Sequence, residues 1–433
     1  MKNNRLTALM NKLTDHTVFA DLLKPVERAL THMRLGHADG HVLSMRDFVA
    51  LGVLRHLKGM HTLREQIQAL LHLDPSEPDK TPLARSTWSD ALSAKSRRTV
   101  LQALVPKLVS EAHTVLPDRL GSLPGLGQRP VRAIDGTYQK ESAHYRRCTP
   151  KEGGTDSAKG HALLSFYNLR LGMPEGVHVE TGSRHEQLLL RDYDREASAL
   201  TRQRNTLWLV DRAFIDGRYW DEKRRLGQTM ITRMKSNLTF TVKQSSDIDL
   251  DNPANQGIIS DRQIQLDSAR QPWRLIHFVS RRGHAVEFLT NELELAPGVI
   301  AFLYSRRWEE EKCFDTWKND FSQAKAWGKS PVAIENQVLL AIVTSILIAL
   351  CLHRVFGDEP PQDEKALRKQ DKRQAAGSRE DDGTDRPNWT KPLYRFTTKI
   401  SRQVLRFFQC CFDKIASPGL YQRQLRPMFE AYL

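Results

Sequence analysis

The chain has 433 residues, with 65 Lys and Arg against 51 Asp and Glu, for a formal net charge of +14. Its pI is about 9.6, its mean hydropathy −0.51, and 40% of its residues are hydrophobic, which excludes a disordered chain and predicts a sizeable core. The basic surplus points to a polyanionic partner, nucleic acid before anionic membrane, although charge alone does not decide it.

The length predicts roughly two to three domains. The first residues, MKNNRLTALMNKLTDH, lack the apolar stretch of a signal peptide. Five cysteines form no C-x-x-C pair, which argues against a zinc ribbon or disulfide scaffold and for a reducing compartment.

Residues 1–125 read as helical, with apolar residues near helical spacing around Phe48–Leu54 and Leu63–Leu71. Ser86 and Ser96 are expected N-caps. This region is either a DNA-end-binding bundle or a plain helical domain. A Gly- and Pro-rich loop, 121–130, closes it. The character then changes. VRAID (131–135) is a short apolar strand ending in an acid. Strands at 161–173 and 176–182 flank a Gly-Met-Pro-Glu-Gly turn. A helical stretch (185–200), a buried strand TLWLVD (206–211), a helix near 216–226 and a strand TMITRM (229–234) follow. This order predicts an α/β core with a mixed sheet over 126–235. Residues 236–293 carry four short runs rich in β-branched and aromatic residues, a β-rich insertion. A long helix is expected from Pro297 through about Trp317, and an apolar one over 332–355, within a second core segment at 294–356. The greasiest run, Val338–Leu352, is shorter than a membrane span needs and reads as a buried helix. Residues 357–392 are charged and nearly free of apolar residues, so they read as a flexible linker. Residues 393–433 form a basic helical segment. No internal repeat is visible.

Several tempting motifs fail on spacing. Gly328-Lys329-Ser330 lacks the glycine of a P-loop, because Gln323 stands there. His185-Glu186 is not followed by the second histidine of a zincin, because Leu189 stands there. No G-x-S-x-G element is present.

Two acids survive this filter. Asp135 closes VRAID and Asp211 closes LWLVD, and reactive groups in open α/β sheets gather at the carboxyl ends of strands. On neighbouring strands they are placed to share a divalent metal. Taken singly, each reads equally well as a turn or N-cap residue, Asp135-Gly136 being a common turn dipeptide. The long helix adds a third element. At about 100° per residue, Tyr304, Arg307, Glu311 and Lys318 fall within one stripe about 60° wide. A salt-bridged solvent face would account for Arg307 and Glu311, but not for two acids preceding the stripe.

The pattern Y-x-x-R-x-x-x-E-x(6)-K, here YSRRWEEEKCFDTWK from Tyr304 to Lys318, resembles the signature of the DDE transposases of bacterial insertion sequences, in the IS-four-like group. IDGT around Asp135, LVDRAF around Asp211 and FLTNELE (288–294) agree, and the resemblance covers about 131–355. It implies a ribonuclease-H-like fold with a β-strand insertion between the second Asp and the Glu. It implies that Asp135, Asp211 and Glu311 hold two Mg²⁺ or Mn²⁺ ions for phosphodiester hydrolysis and strand transfer, sometimes through a DNA hairpin. It implies that Tyr304, Arg307 and Lys318 grip phosphates of double-stranded DNA, namely terminal inverted repeats and target. Arg212, Arg233, Lys235, Arg306 and Lys325 are further candidates for the DNA path, although an ordinary solvated face suits each of them better. Trp220 and Trp308 suit base stacking or core filling, and His185 suits a helix cap. A homodimer on DNA, no membrane role and a cytoplasmic, nucleoid-associated bacterial location follow as expectations. A non-catalytic DNA-binding derivative, or another metal-dependent nuclease on the same fold, is the alternative.

Overall fold

The computed structural model describes residues 17–58, 83–140, 142–144, 159–182, 184–196, 199–280, 283–319, 321 and 325–356. The expected linker at 357–392 and basic segment at 393–433 lie outside the described residues.

Among the described residues, four α-helices precede the sheet: α1 (Thr17–Thr31), α2 (Met45–Lys58), α3 (Arg85–Ser93) and α4 (Lys95–Val115). The expected serine caps are displaced. The N-cap residues are Ala84 and Ala94, neither with a side-chain cap, so Ser86 and Ser96 lie inside the first turns.

The strands are β1 (Val131–Lys140), β2 (Gly160–Asn168), β3 (Met173–Thr181), β4 (Leu207–Val210), β5 (Thr229–Arg233), β6 (Phe240–Ser246), β7 (Ile258–Leu266), β8 (Trp273–Val279) and β9 (Ala285–Thr290). They form one mixed sheet in the order β3-β2-β1-β4-β5-β9-β8-β7-β6. Among the described strands, β1–β4 and β4–β5 pair in parallel and the others antiparallel. The β-rich insertion therefore extends the core sheet, with β9 antiparallel to β5. Two short helices, α5 (Glu186–Arg195) and α6 (Ala199–Arg202), separate β3 from β4, and α7 (Gly217–Arg224) separates β4 from β5.

The β2–β3 turn comes earlier in the chain than expected. The Asn168 side chain accepts from the N–H groups of Arg170 and Leu171, and Gly172 takes a φ of 69°, which only glycine adopts freely. Pro174 of the expected turn lies inside β3. That strand is at the sheet edge, where a missing N–H is tolerated.

The expected long helix is two helices, α8 (Pro297–Arg306) and α9 (Trp308–Asn319). Arg307 N–H bonds to Tyr304 O, and Glu310 N–H to Arg307 O, both one residue short of α-helical spacing. The tightened turn redirects the chain. Helix α8 packs over β5 and β7, whereas α9 packs over β1 and β3.

The last described helix, α10 (Pro331–Phe356), is long and apolar enough to cross a membrane by length and composition, yet 83% of its most apolar window is buried inside the protein. It packs against α1–α4 and β3, and its leucines and isoleucines join those helices in one hydrophobic cluster. Buried polar side chains on it reach the N-terminal helices. Glu335 takes Gln102 at 2.5 Å and Arg98 at 3.3 Å, and Asn336 donates to Leu92 O at 2.8 Å.

Where α2 crosses α10, a Cβ on Gly52 would stand 2.5 Å from Leu340 Cδ1, and Leu340 is fully buried. Gly52→Ala is expected to cost about 1–3 kcal/mol by overpacking and Leu340→Ala about 2–5 kcal/mol by cavity formation. In urea unfolding the double variant should cost less than the sum of the two. Strict additivity would reject this packing.

Candidate active site

Strand alternation decides which way the acids face. Val131 and Ala133 of β1, and Leu207 and Leu209 of β4, join the cluster beneath α8. Ile134, Trp208 and Val210 join the opposite cluster with α5 and α7. Asp135 and Asp211 continue the first series, so both face the α8–α9 layer. The parallel register pairs Ile134 with Val210, and the next residue on each strand is the acid. Asp135 and Asp211 thus stand side by side at one height where the β1–β4 pairing ends.

Asp135 is not the end of its strand, and Asp135-Gly136 is not a turn. Strand β1 runs on to Lys140, paired to β2 throughout. Asp211 follows β4 in extended conformation, ahead of a short 3₁₀ turn, without capping it. Asp216, the other Asp-Gly site, caps α7 by accepting from Tyr219 N–H at 3.1 Å.

Glu311 reaches this centre through Arg307. The Arg307 guanidinium forms an ion pair with Glu311 and lies 3.9 Å from Asp135 Oδ2. Tyr304 is buried, its ring against Phe288 and beneath two cations, Arg233 at 5.6 Å and Arg307 at 5.9 Å from its centroid. The stripe therefore survives the break in the helix at Tyr304, Arg307 and Glu311. Lys318 lies in α9, and its side chain is outside the described residues. Arg212 and Lys325 are exposed. Arg233 is exposed at the end of β5 and Lys235 half-buried just beyond it. Arg306 is bound to Glu309. Trp220 is core, its indole donating to Phe214 O, whereas Trp308 is 63% exposed beside the centre. His185 caps α5, accepting from Gln187 N–H.

Three residues of the centre are not signalled by the sequence motifs. Glu310 is fully buried, and Ser165 donates to it at 2.7 Å. Ser165 is the β2 partner of Asp135, so this bond ties α9 to the strand pair that carries Asp135. The third is Glu186, at the head of α5. Its carboxyl group lies against Gly136, where a Cβ would stand 2.3 Å from Glu186 Oε1.

Crowding shows in the titration. Burial, opposed by Arg307 and the Gly136 N–H, and helped by repulsion from Glu311 and Asp211, pushes Asp135 up to about 6. Burial and repulsion from Asp135 and Asp211 push Glu186 up to about 7. Burial and the Asp135 charge hold Glu310 well above the usual carboxylate range, so it is a neutral structural acid. Burial also raises Tyr304, which keeps its hydroxyl a donor.

Among the described residues, no three His, Cys, Asp or Glu stand together in an arrangement that holds a metal ion. The donor set nevertheless fits one. It is all carboxylate oxygen, the ligand type of Mg²⁺ and Mn²⁺, and one guanidinium faces several acids. A divalent cation relieves that imbalance.

The model of the transposase DDE domain family matches residues 126–347. The chain belongs to this family. Comparison with curated proteins gives no match. The chain is also similar to a solved structure described as the piggyBac transposase synaptic complex with hairpin DNA. That likeness has 12% identity and a TM-score of 0.41, and covers 96% of this chain and 83% of that one.

The raised acids set a pH dependence. Between about pH 4 and 7 the folded protein holds protons that the unfolded chain has released, so stability from these groups is present at low pH and lost as pH rises through about 6 for Asp135 and 7 for Glu186. In metal-free buffer, Asp135→Asn and Glu186→Gln should each melt progressively higher relative to wild type from pH 4.5 to 7.5. A difference that does not vary with pH would contradict the assignment.

Proposed function

We propose that this chain is a DNA transposase of the IS-four-like group, with a ribonuclease-H-like core and with Asp135, Asp211 and Glu311 as its metal-binding acids. The observation that carries the reading is the pair Asp135 and Asp211, level on adjacent parallel strands within the matched transposase segment. The mixed sheet, and the four insertion strands between Asp211 and Glu311, support the core assignment. The clustering of Tyr304, Arg307 and Glu311 supports the signature.

The substrate is double-stranded DNA, first at the terminal inverted repeats and then at the target. Asp135, Asp211 and Glu311 would hold two Mg²⁺ or Mn²⁺ ions. Such ions, when bound, polarise the attacking and leaving oxygens of an in-line displacement. The protein's own groups position the phosphate. Arg307 offers a planar fork that suits two phosphate oxygens, and exchanging Glu311 for phosphate frees that carboxylate. Tyr304 stays protonated and donates one hydrogen bond. Lys318, Arg212 and Lys325 extend the cationic path. Water is the first nucleophile and frees a 3′-hydroxyl, which then attacks the target phosphodiester. The N-terminal helices bind the transposon ends, two copies of the chain pair two ends, and the protein works in the cytoplasm at the nucleoid.

The test is cleavage of DNA carrying the element's terminal inverted repeats in Mg²⁺. Wild type should cut at the ends, and Glu311→Gln should lose at least on the order of 100-fold, since even outer-shell changes at metal sites cost about 10–100-fold. Binding without cutting by wild type would identify a non-catalytic derivative. Cutting without regard to the ends would identify a different nuclease.

End binding should also weaken steeply with salt, log affinity falling linearly with log salt concentration. Arg307→Ala should flatten that slope, as measured by fluorescence anisotropy. An unchanged slope would remove Arg307 from the phosphate contacts.

A further inference from the structure

We propose that Glu186 is a fourth acid of the metal centre, reaching it from the opposite helical layer through the gap left by Gly136. This rests on the metal-dependent reading above.

Glu186 belongs to α5, which packs on the far face of the sheet from α8 and α9. A side chain there would ordinarily be screened from Asp135 by the strand between them. Two features open the way. Strand β4 stops at Val210, so the sheet has no paired neighbour on that side of β1 beyond Ile134. The next residue after Asp135 is a glycine, whose α-carbon is the surface that the Glu186 carboxyl lies on. A Cβ at 136 would meet Glu186 Oε1 at 2.3 Å, Cδ at 2.6 Å and Cγ at 2.7 Å. The backbone at Gly136 has no positive φ, so the glycine serves close approach and not backbone conformation.

Ordinary helix roles do not account for Glu186. The cap of α5 is His185. A first-turn acid serves the helix dipole equally well from solvent. Glu186 instead lies half-buried, its carboxyl group over the strand at Gly136. The charges of Asp135 and Asp211 both act on it. The nearest compensating cation, Arg307, is already bound to Glu311. A carboxylate brought beside two others is unfavourable in its charged form, and a cation that joined them would relieve it. Glu186 would contact the divalent ion directly or through a water bound to it, and so tighten metal binding at the Asp135–Asp211 pair.

The experiment is Mn²⁺ titration of the full chain without DNA, followed by electron paramagnetic resonance of free Mn²⁺. The variants are Glu186→Gln, Gly136→Ala, Asp135→Asn, Asp211→Asn and, as an acid remote from the centre, Glu287→Gln. Circular dichroism in chelator checks that each is folded. Glu186→Gln and Gly136→Ala should each weaken Mn²⁺ binding about 10–100-fold, and Glu287→Gln should not. Weakening by Asp135→Asn and Asp211→Asn with no change for Glu186→Gln would overturn the fourth acid alone. Equal weakening by Glu287→Gln would reduce the effect to general charge and overturn it too. If neither aspartate variant alters Mn²⁺ binding, the metal centre itself falls.

Discussion

Like charges held a few ångströms apart resist being brought together, and the centre of this protein is built against that resistance. The parallel pairing of β1 with β4 fixes Asp135 beside Asp211. Glu311 and Glu186 add to the repulsion. The protein answers in three ways. Arg307 supplies one delocalised positive charge between Asp135 and Glu311. Protons stay on Asp135 and Glu186 at pH values where free carboxyls have lost them. Glu310 is buried in neutral form and used as a hydrogen-bonding anchor on Ser165. Each device holds the acids in place.

Such a centre needs a stiff frame, and the frame lies mostly away from it. Helix α10 fills the space between the N-terminal helices and β3. Its length and greasiness come from having neighbours on nearly every side. Near the site, buried polar bonds do the same work. Thr290 Oγ1 donates to Met230 O, the Met230 N–H donates to Asn291, and Arg129 pairs with Glu292 at 2.7 Å. These lock β9 to β5 just ahead of α8. Burial alone would raise Glu292, but Arg129, the Glu294 N–H and Thr229 outweigh it and hold the carboxyl low. The FLTNELE segment is therefore a structural clasp that sets where the helix carrying Tyr304 begins.

Much of this was legible in the residues because it rests on local pattern. The insertion strands announce themselves by β-branched and aromatic runs between turn residues. Asp135 and Asp211 stand out as acids after buried apolar runs. What escaped depends on contacts far apart in sequence. Strand β1 continues through the polar residues Thr137–Lys140, held by β2 and not by any apolar pattern. Among Glu309, Glu310 and Glu311, spacing along one uninterrupted helix does not say that the middle one is buried against Ser165, 145 residues away, because the turn at Arg307 shifts the phase. Glu186 looks like a first-turn acid, and its neighbour Gly136 like half of a turn. Only the fold reveals that each explains the other.

The insertion has a consequence for how the protein comes into being. Strands β6–β9 are not an appendage. They pair with one another and close onto β5 through β9, so the whole ribbon is synthesised before α8 and α9. Asp135 and Asp211 are synthesised long before Glu311, and the clasp at Thr290–Glu292 lies between them. A chain still on the ribosome has Asp135 and Asp211 but no Arg307 to balance them and no α10 to brace the frame. Contacts this distant in sequence form slowly. In the nascent chain the Asp135–Asp211 pair is thus made well before the residues that balance and brace it.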